Sequence, residues 1–237
     1  MSPFHIFSKY FICYGIFFLL TYITKLNDGL KLIDEKGIVR NPGILIGLHI
    51  AGILWLGIVA SNILNYSFFT IVFGNRDPEP VQWIVLLVLL IIAITTSHAH
   101  VNSFRFKNIN DYSGNTLTYS FLRKYFIIRI LFLIAYEAWF RGYLLADSIQ
   151  HFGPIPAVLI NVVLYAQLHI FSRKKELIAC IPFGILLCGL STWFDAAWPA
   201  IILHLTISLT YEITLVSKIK IINQEHTRGL LTGKTGL

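Results

Sequence analysis

The stretch A-Y-E-A-W-F-R-G-Y-L-L, residues 135–145, lies in a run apolar enough for lipid, yet it holds a glutamate and, four residues on, an arginine. Hydrocarbon offers such groups no solvation, so an ionisable side chain kept within a membrane helix marks a candidate functional site. The rest of the chain supports the membrane setting. Of 237 residues, 56% are hydrophobic and only 13% are charged. Soluble domains carry about a quarter charged residues, so the composition is that of an integral membrane protein.

A hydrocarbon core about 30 Å thick needs roughly 20 helical residues, somewhat fewer where neighbours cover the ends. Seven segments meet or approach that length: 5–24, 43–64, 81–97, 121–149, 154–170, 177–193 and 198–217. A lone strand would leave its backbone groups unpaired in lipid, so all seven are read as helices. The fold class is therefore all-α, a polytopic integral membrane protein with about seven transmembrane helices and a four-helix catalytic core. The first segment has a long apolar part and no small-x-small cleavage site after it, and reads as a retained helix.

Positive charge orients the bundle. Loop 25–42 has Lys25, Lys31, Lys36 and Arg40, and the span from 98 into the fourth helix has Arg105, Lys107, Arg123 and Lys124. Loop 171–176 adds Arg173, Lys174 and Lys175, and the tail adds Lys218, Lys220, Arg228 and Lys234. The alternate side holds only Lys9 and Arg76. This bias places the N-terminus outside and the C-terminus in the cytoplasm, in a bacterial inner or plasma membrane. Spread over short loops, the net charge of +7 writes topology and does not track phosphates, so nucleic acid is excluded as a partner. Cys13, Cys180 and Cys188 all lie in apolar runs with no metal or disulfide spacing, and read as small buried hydrophobes.

The polar stretch N-I-N-D-Y-S-G-N, residues 108–115, belongs to the longest connector. It divides the chain into an N-terminal three-helix membrane region with its connector (1–120), a helical core (121–217) and a cytoplasmic tail (218–237).

Within that core, three helices each offer polar groups. Glu137 and Arg141 stand one turn apart with the acid first, the favourable order for pairing, and an ion pair holding helices together would use them equally well. His169 ends L-Y-A-Q-L-H-I, residues 164–170, and His204 lies in W-P-A-I-I-L-H-L-T-I-S-L-T-Y-E, residues 198–212. His204, Ser208 and Glu212 recur every four residues and line one stripe. Either histidine alone reads as a packing residue; a carboxylate and two imidazoles on three helices read as a site. A carboxylate and an imidazole can polarise water for attack on a peptide carbonyl, with the second imidazole on the oxyanion. Glu137, His169 and His204 could equally ligate a divalent metal such as zinc. Spacing does not choose between the two.

Three ordered motifs now point to a family. E-A-W-F-R-G (Glu137–Gly142) resembles the E-x-x-x-R-G of a first motif, and the aromatic-x-x-x-His of Tyr165–His169 resembles a second. His204, after I-P-F-G-I-L-L-C-G-L and W-P-A-I-I-L-H, resembles a third. Over roughly 121–215 the chain resembles the CPBP intramembrane proteases, which include type 2 CAAX prenyl proteases, bacteriocin-processing enzymes and proteins called Abi. The resemblance implies an all-helical endopeptidase that hydrolyses a peptide bond in a membrane-associated protein or peptide substrate, in contact with the lipid bilayer. It implies water activation by Glu137 and His169, and oxyanion stabilisation by His204, with Arg141 and Tyr165 in the matched motifs; of the two mechanisms, the one without a cofactor is expected here, and Glu212, on the His204 stripe, is a candidate substitute acid.

Two positions depart from the pattern. The first motif usually opens on paired glutamates, but the leading place is Tyr136, a poor base at neutral pH. The third motif has asparagine four residues after its histidine, and here that place is Ser208. A relative that binds without cutting would keep the same residues, and a proton-coupled transporter also uses buried acids and histidines. Glu212 reads as an interfacial residue near the cytoplasmic end, His98 and His100 as headgroup-facing, and His49 as a structural residue without a partner.

Depth sets one further condition. His204 lies about six residues from its outer helix end, roughly 9 Å, and His169 about thirteen residues, roughly 20 Å. For them to meet, one helix must tilt, break or start lower, and Pro154 and Pro156 give the means.

Overall fold

Proline and glycine set most of the helix boundaries. Pro42, Pro80 and Pro154 each occupy a first helical turn, where the missing N–H has no intrahelical partner to lose. Gly74 (φ 67°) and Gly153 (φ 81°) end the helices before them in the left-handed region, which costs a glycine little. The computed structural model describes residues 3–27, 29–33, 41–64, 66–104, 117–172 and 174–232, with side chains described over 7–224.

Eight helices follow among the described residues. They are α1 (Pro3–Leu26), α2 (Pro42–Leu64, with a π-helical middle at Ile53–Val59), α3 (Phe68–Phe73) and α4 (Pro80–Asn102). Next come α5 (119–152), α6 (Pro154–Leu168), α7 (Lys174–Phe194) and α8 (Trp198–Thr232). All seven expected segments are helical, and no strand occurs among the described residues. Five of them are long and apolar enough to cross a membrane; Pro154–Leu168 is apolar but shorter. Segment 119–152 has the length but carries Arg123, Lys124, Arg129, Glu137, Arg141 and Asp147. The chain is an all-α polytopic membrane protein.

One aromatic-rich core joins both halves of the chain. Cys13 and Phe17 of α1 and Leu56 of α2 pack with Tyr136, Trp139 and Phe140 of α5 and Tyr165 of α6. α4 lies against α8, with Leu86 and Ala93 meeting Ala200 and Leu203. α3 is a short helix without an expected counterpart. Its Ile71 side chain occupies the space where a Cβ on Gly142 would stand, which explains the glycine after Arg141.

α8 continues well beyond residue 217. Its 35 residues span about 52 Å. Beyond the expected span, Lys218 Nζ donates to the carbonyls of Val101 and Asn102 at 3.0 Å each and of Phe104 at 2.8 Å, closing the C-terminal end of α4. Ile219 is buried one residue further on, so packing sustains the helix where the sequence suggested a tail. The N-I-N-D-Y-S-G-N stretch, together with Lys36, Arg40, Arg105, Lys107, Arg173 and Lys234 of the charge pattern, lies outside the described residues.

Candidate active site

α5 is regular to Glu137, then widens into a π-helical stretch over Ala138–Leu144 before resuming as Leu145–Phe152. Such bulges free a backbone carbonyl and collect at functional sites. Asn161 of α6, fully buried, meets this demand by donating to the carbonyl of Phe140 at 2.5 Å. The bulge thereby ties α5 to α6 just beyond the acid.

Glu137 has no exposed side-chain surface and is held from two sides. His204 Nδ1 lies 2.5 Å from its Oε1, and Arg141 Nε lies 3.3 Å from its Oε2. The Arg141 guanidinium lies 4.4 Å over the Tyr165 ring, a cation–π contact in a dry setting. Gly184 makes room for it: a Cβ there would come within 3.3 Å of Tyr165 and 3.6 Å of Arg141. A buried carboxylate needs a paired cation. Arg141 supplies one, so the E-x-x-x-R motif sets a cation beside the buried acid.

The hydrogen bonds settle the histidine tautomers. A carboxylate accepts, so His204 Nδ1 carries the proton, and Nε2 has no hydrogen-bond partner among the described residues. His169, just past the end of α6, places Nδ1 3.1 Å from the Tyr165 carbonyl. That nitrogen donates as well, and Nε2 has no hydrogen-bond partner among the described residues. The Tyr165 ring neighbours both imidazoles, with centroids 4.8 Å from His169 and 6.4 Å from His204. α6 has 15 residues, about 22 Å, too few to cross the full core.

Both histidines open onto one cavity of about 580 Å³, which Tyr136 and Ser208 also line. That volume suits a small ligand or a few residues of peptide. Glu137 does not line the cavity; it lies behind His204 and reaches the cavity through it. Tyr136, the residue before Glu137, presents a ring 6.2 Å from that of His204.

A second polar group occupies another part of the same cavity. Arg129 Nε pairs with Glu212 Oε1 at 3.2 Å, and Tyr125 donates to Glu212 Oε2 at 3.0 Å. Arg129 Nη1 lies 3.1 Å from His49 Nε2, which must accept. Glu212 is thus an internal ion-pair partner rather than an interfacial acid, and His49 does have a partner. Sequence reasoning passed over Arg129, although it and Arg141 are the two among nineteen lysines and arginines that fall deep within a span. Glu212 stands two turns from His204, about 12 Å along α8, too far to share its proton. His98 is exposed and bonds Thr214, whereas His100 is exposed yet lines the cavity.

Among the described residues, no group of three His, Cys, Asp or Glu is arranged to hold a metal ion. Glu137 is already engaged by His204 and Arg141, so Glu137, His169 and His204 do not fit as a ligand set. Residues 118–210 match the family model described as type II CAAX prenyl endopeptidase Rce1-like. No curated protein matches the chain.

Proposed function

We propose, from the premise that residues 118–210 are an Rce1-like domain of the CPBP family of intramembrane CAAX-type proteases, that the chain is an endopeptidase acting in the cavity bounded by His204 and His169. One observation carries this reading: His204, on the cavity wall, has its Nδ1 2.5 Å from the buried Glu137 carboxylate, which leaves Nε2 as the ring atom available to a substrate. An imidazole so oriented is a general base, and the carboxylate behind it stabilises the imidazolium that forms. Glu137 acts through His204 and does not reach the water itself. His169 Nε2 offers a second acceptor to orient water, and the Tyr136 hydroxyl a donor for the developing oxyanion. The proton taken by His204 passes to the leaving amine as the C–N bond breaks. Protein groups alone carry these steps, without a metal.

Apart from its polar stations the cavity wall is apolar, with Phe17, Leu48, Phe132 and Leu133 among its members. We take the substrate to be a membrane-associated protein or peptide, one bearing a lipid or apolar residues beside the scissile bond. Purified protein in liposomes should cut a prenylated C-terminal CAAX peptide, and His169→Ala should slow cutting by about 10²-fold with thermal unfolding unchanged. Equal rates for both proteins would remove His169 from the chemistry.

We place the lysine-rich end of the bundle, with Lys31 and Glu176 at the cavity edge, on the cytoplasmic side of a bacterial inner or plasma membrane. A C-terminal fluorescent-protein fusion should fluoresce and a C-terminal alkaline phosphatase fusion should stay silent; the reverse pattern inverts the topology.

Tyr136 favours a second reading, a relative that binds peptide in the same cavity without cutting it. Under that reading wild type and His204→Ala bind peptide alike and neither releases product.

A further inference from the structure

The two polar stations of the cavity lie along the same pair of helices. At the first, the rings of Tyr136 on α5 and His204 on α8 have centroids 6.2 Å apart. At the second, Arg129 of α5 pairs with Glu212 of α8 at 3.2 Å. The second station precedes Tyr136 by two turns on α5 and follows His204 by two turns on α8. At 1.5 Å per residue, both steps are about 10–12 Å. An extended peptide covers that distance in about three residues. The step runs toward the lysine-rich end of the bundle, where Lys218 and Lys220 follow Glu212.

Lys31 and Arg129 are the lysine and arginine side chains on the cavity wall. Lys31, at the edge, is taken by Glu176 at 2.5 Å. Arg129 retains an open face. A guanidinium has five N–H donors. Nε lies 3.2 Å from Glu212 Oε1, and Nη1 lies 3.1 Å from His49 Nε2. Nη2 makes no hydrogen bond among the described residues. The other buried arginine differs here: Nε, Nη1 and Nη2 of Arg141 are all sealed off, whereas Nη2 of Arg129 is not. Glu212 has both oxygens engaged, Oε1 by Arg129 and Oε2 by the Tyr125 hydroxyl. The guanidinium is thus fixed from two helices with its Nη2 side left for a ligand. A carboxylate entering a cavity with apolar walls needs a cation and hydrogen-bond donors together, and a guanidinium supplies both.

We propose that Arg129 determines which bond is cut: it binds the free carboxylate at the substrate's C-terminus and sets the scissile bond about three residues from the chain end. The proposal rests on the endopeptidase reading above and adds to it what selects the bond. The scissile carbonyl lies at His204, and the residues on its amine side run along α5 and α8 to Arg129. Glu212 holds the guanidinium in place and also opposes the incoming charge, so its neutral isostere sharpens the selection.

The test compares a prenylated peptide ending in a free carboxylate with the same peptide ending in an amide, on the full chain in liposomes. Both binding and kcat/KM are measured, and the readout is the acid-to-amide ratio within each variant, from which a general loss of folded protein cancels. Wild type should favour the acid by about 10–10²-fold, the worth of a hydrogen bond to a charged group. Arg129→Gln should bring the ratio to about one, and Glu212→Gln should raise it; a merely structural pair would move neither. Should Arg129→Gln fail to fold, Arg129→Gln combined with Glu212→Gln removes both charges together and should also give a ratio of about one. A wild type indifferent to the chain end would overturn the proposal, as would an Arg129→Gln protein that keeps the preference or a Glu212→Gln protein that loses it. Acid preference in binding with no product released would overturn the endopeptidase reading and leave the carboxylate site standing.

Discussion

His204→Ala eliminates peptide cleavage, by a factor of about 10²–10⁴, in a protein that still folds. The expectation follows from the position of the ring between two environments. Its side chain is 11% exposed, on the cavity wall, while its Nδ1 holds a carboxylate with no exposure at all. Removing the imidazole removes the only base that Glu137 orients, yet leaves the Glu137–Arg141 pair in place, so the buried acid keeps its cation. The folded-state loss is that of one hydrogen bond to a charged group, about 1.5–3 kcal/mol. The measurement is the initial rate on a prenylated peptide beside thermal unfolding in the same detergent. A rate within about tenfold of wild type, less than the smallest general-base contribution, would show that His204 is not the base.

Arg141→Leu should instead fail at the level of the fold. Arg141 Nε lies 3.3 Å from Glu137, and both side chains are fully buried. Taking one partner from a buried ion pair leaves an uncompensated charge and costs about 3–5 kcal/mol. The Tyr165 face would lose its cation as well. Loss of folded protein, or a large fall in unfolding temperature, is the expected result. Lys31→Ala is the contrasting case, since Lys31 and Glu176 pair at 2.5 Å with side chains 37% and 39% exposed. Solvent screens that pair to at most about 1 kcal/mol. Equal effects of the two substitutions would contradict the assignment of Arg141 to a dry site.

The parts legible from sequence were those with a local physical signal. Hydropathy located the spans, because each must satisfy its own backbone and cover its own thickness of lipid. Pro42, Pro80 and Pro154 punctuate the helix starts within a residue of where the apolar runs begin. Glu137, His169 and His204 stood out because each is costly where it lies, and His169 and His204 do share a cavity. Long-range packing was illegible. The Arg129–Glu212 pair joins α5 to α8 and draws in His49 from α2, a relation that no spacing within one helix records. The widened turn after Glu137 leaves no mark on an apolar run in which nearly every residue is buried. α3 is six residues long, too short for any periodicity to declare it. Counting residues from the helix ends set His169 and His204 apart in depth, yet both line one cavity.

The most direct test is mass spectrometry of the products formed by the purified protein in water enriched in oxygen-18. With a prenylated peptide in the bilayer, hydrolysis at the His204–His169 cavity predicts a new C-terminal carboxylate carrying one heavy oxygen, formed by wild type and missing with His204→Ala. Intact peptide recovered from folded wild-type protein, or heavy-oxygen product formed equally by His204→Ala, would contradict the account.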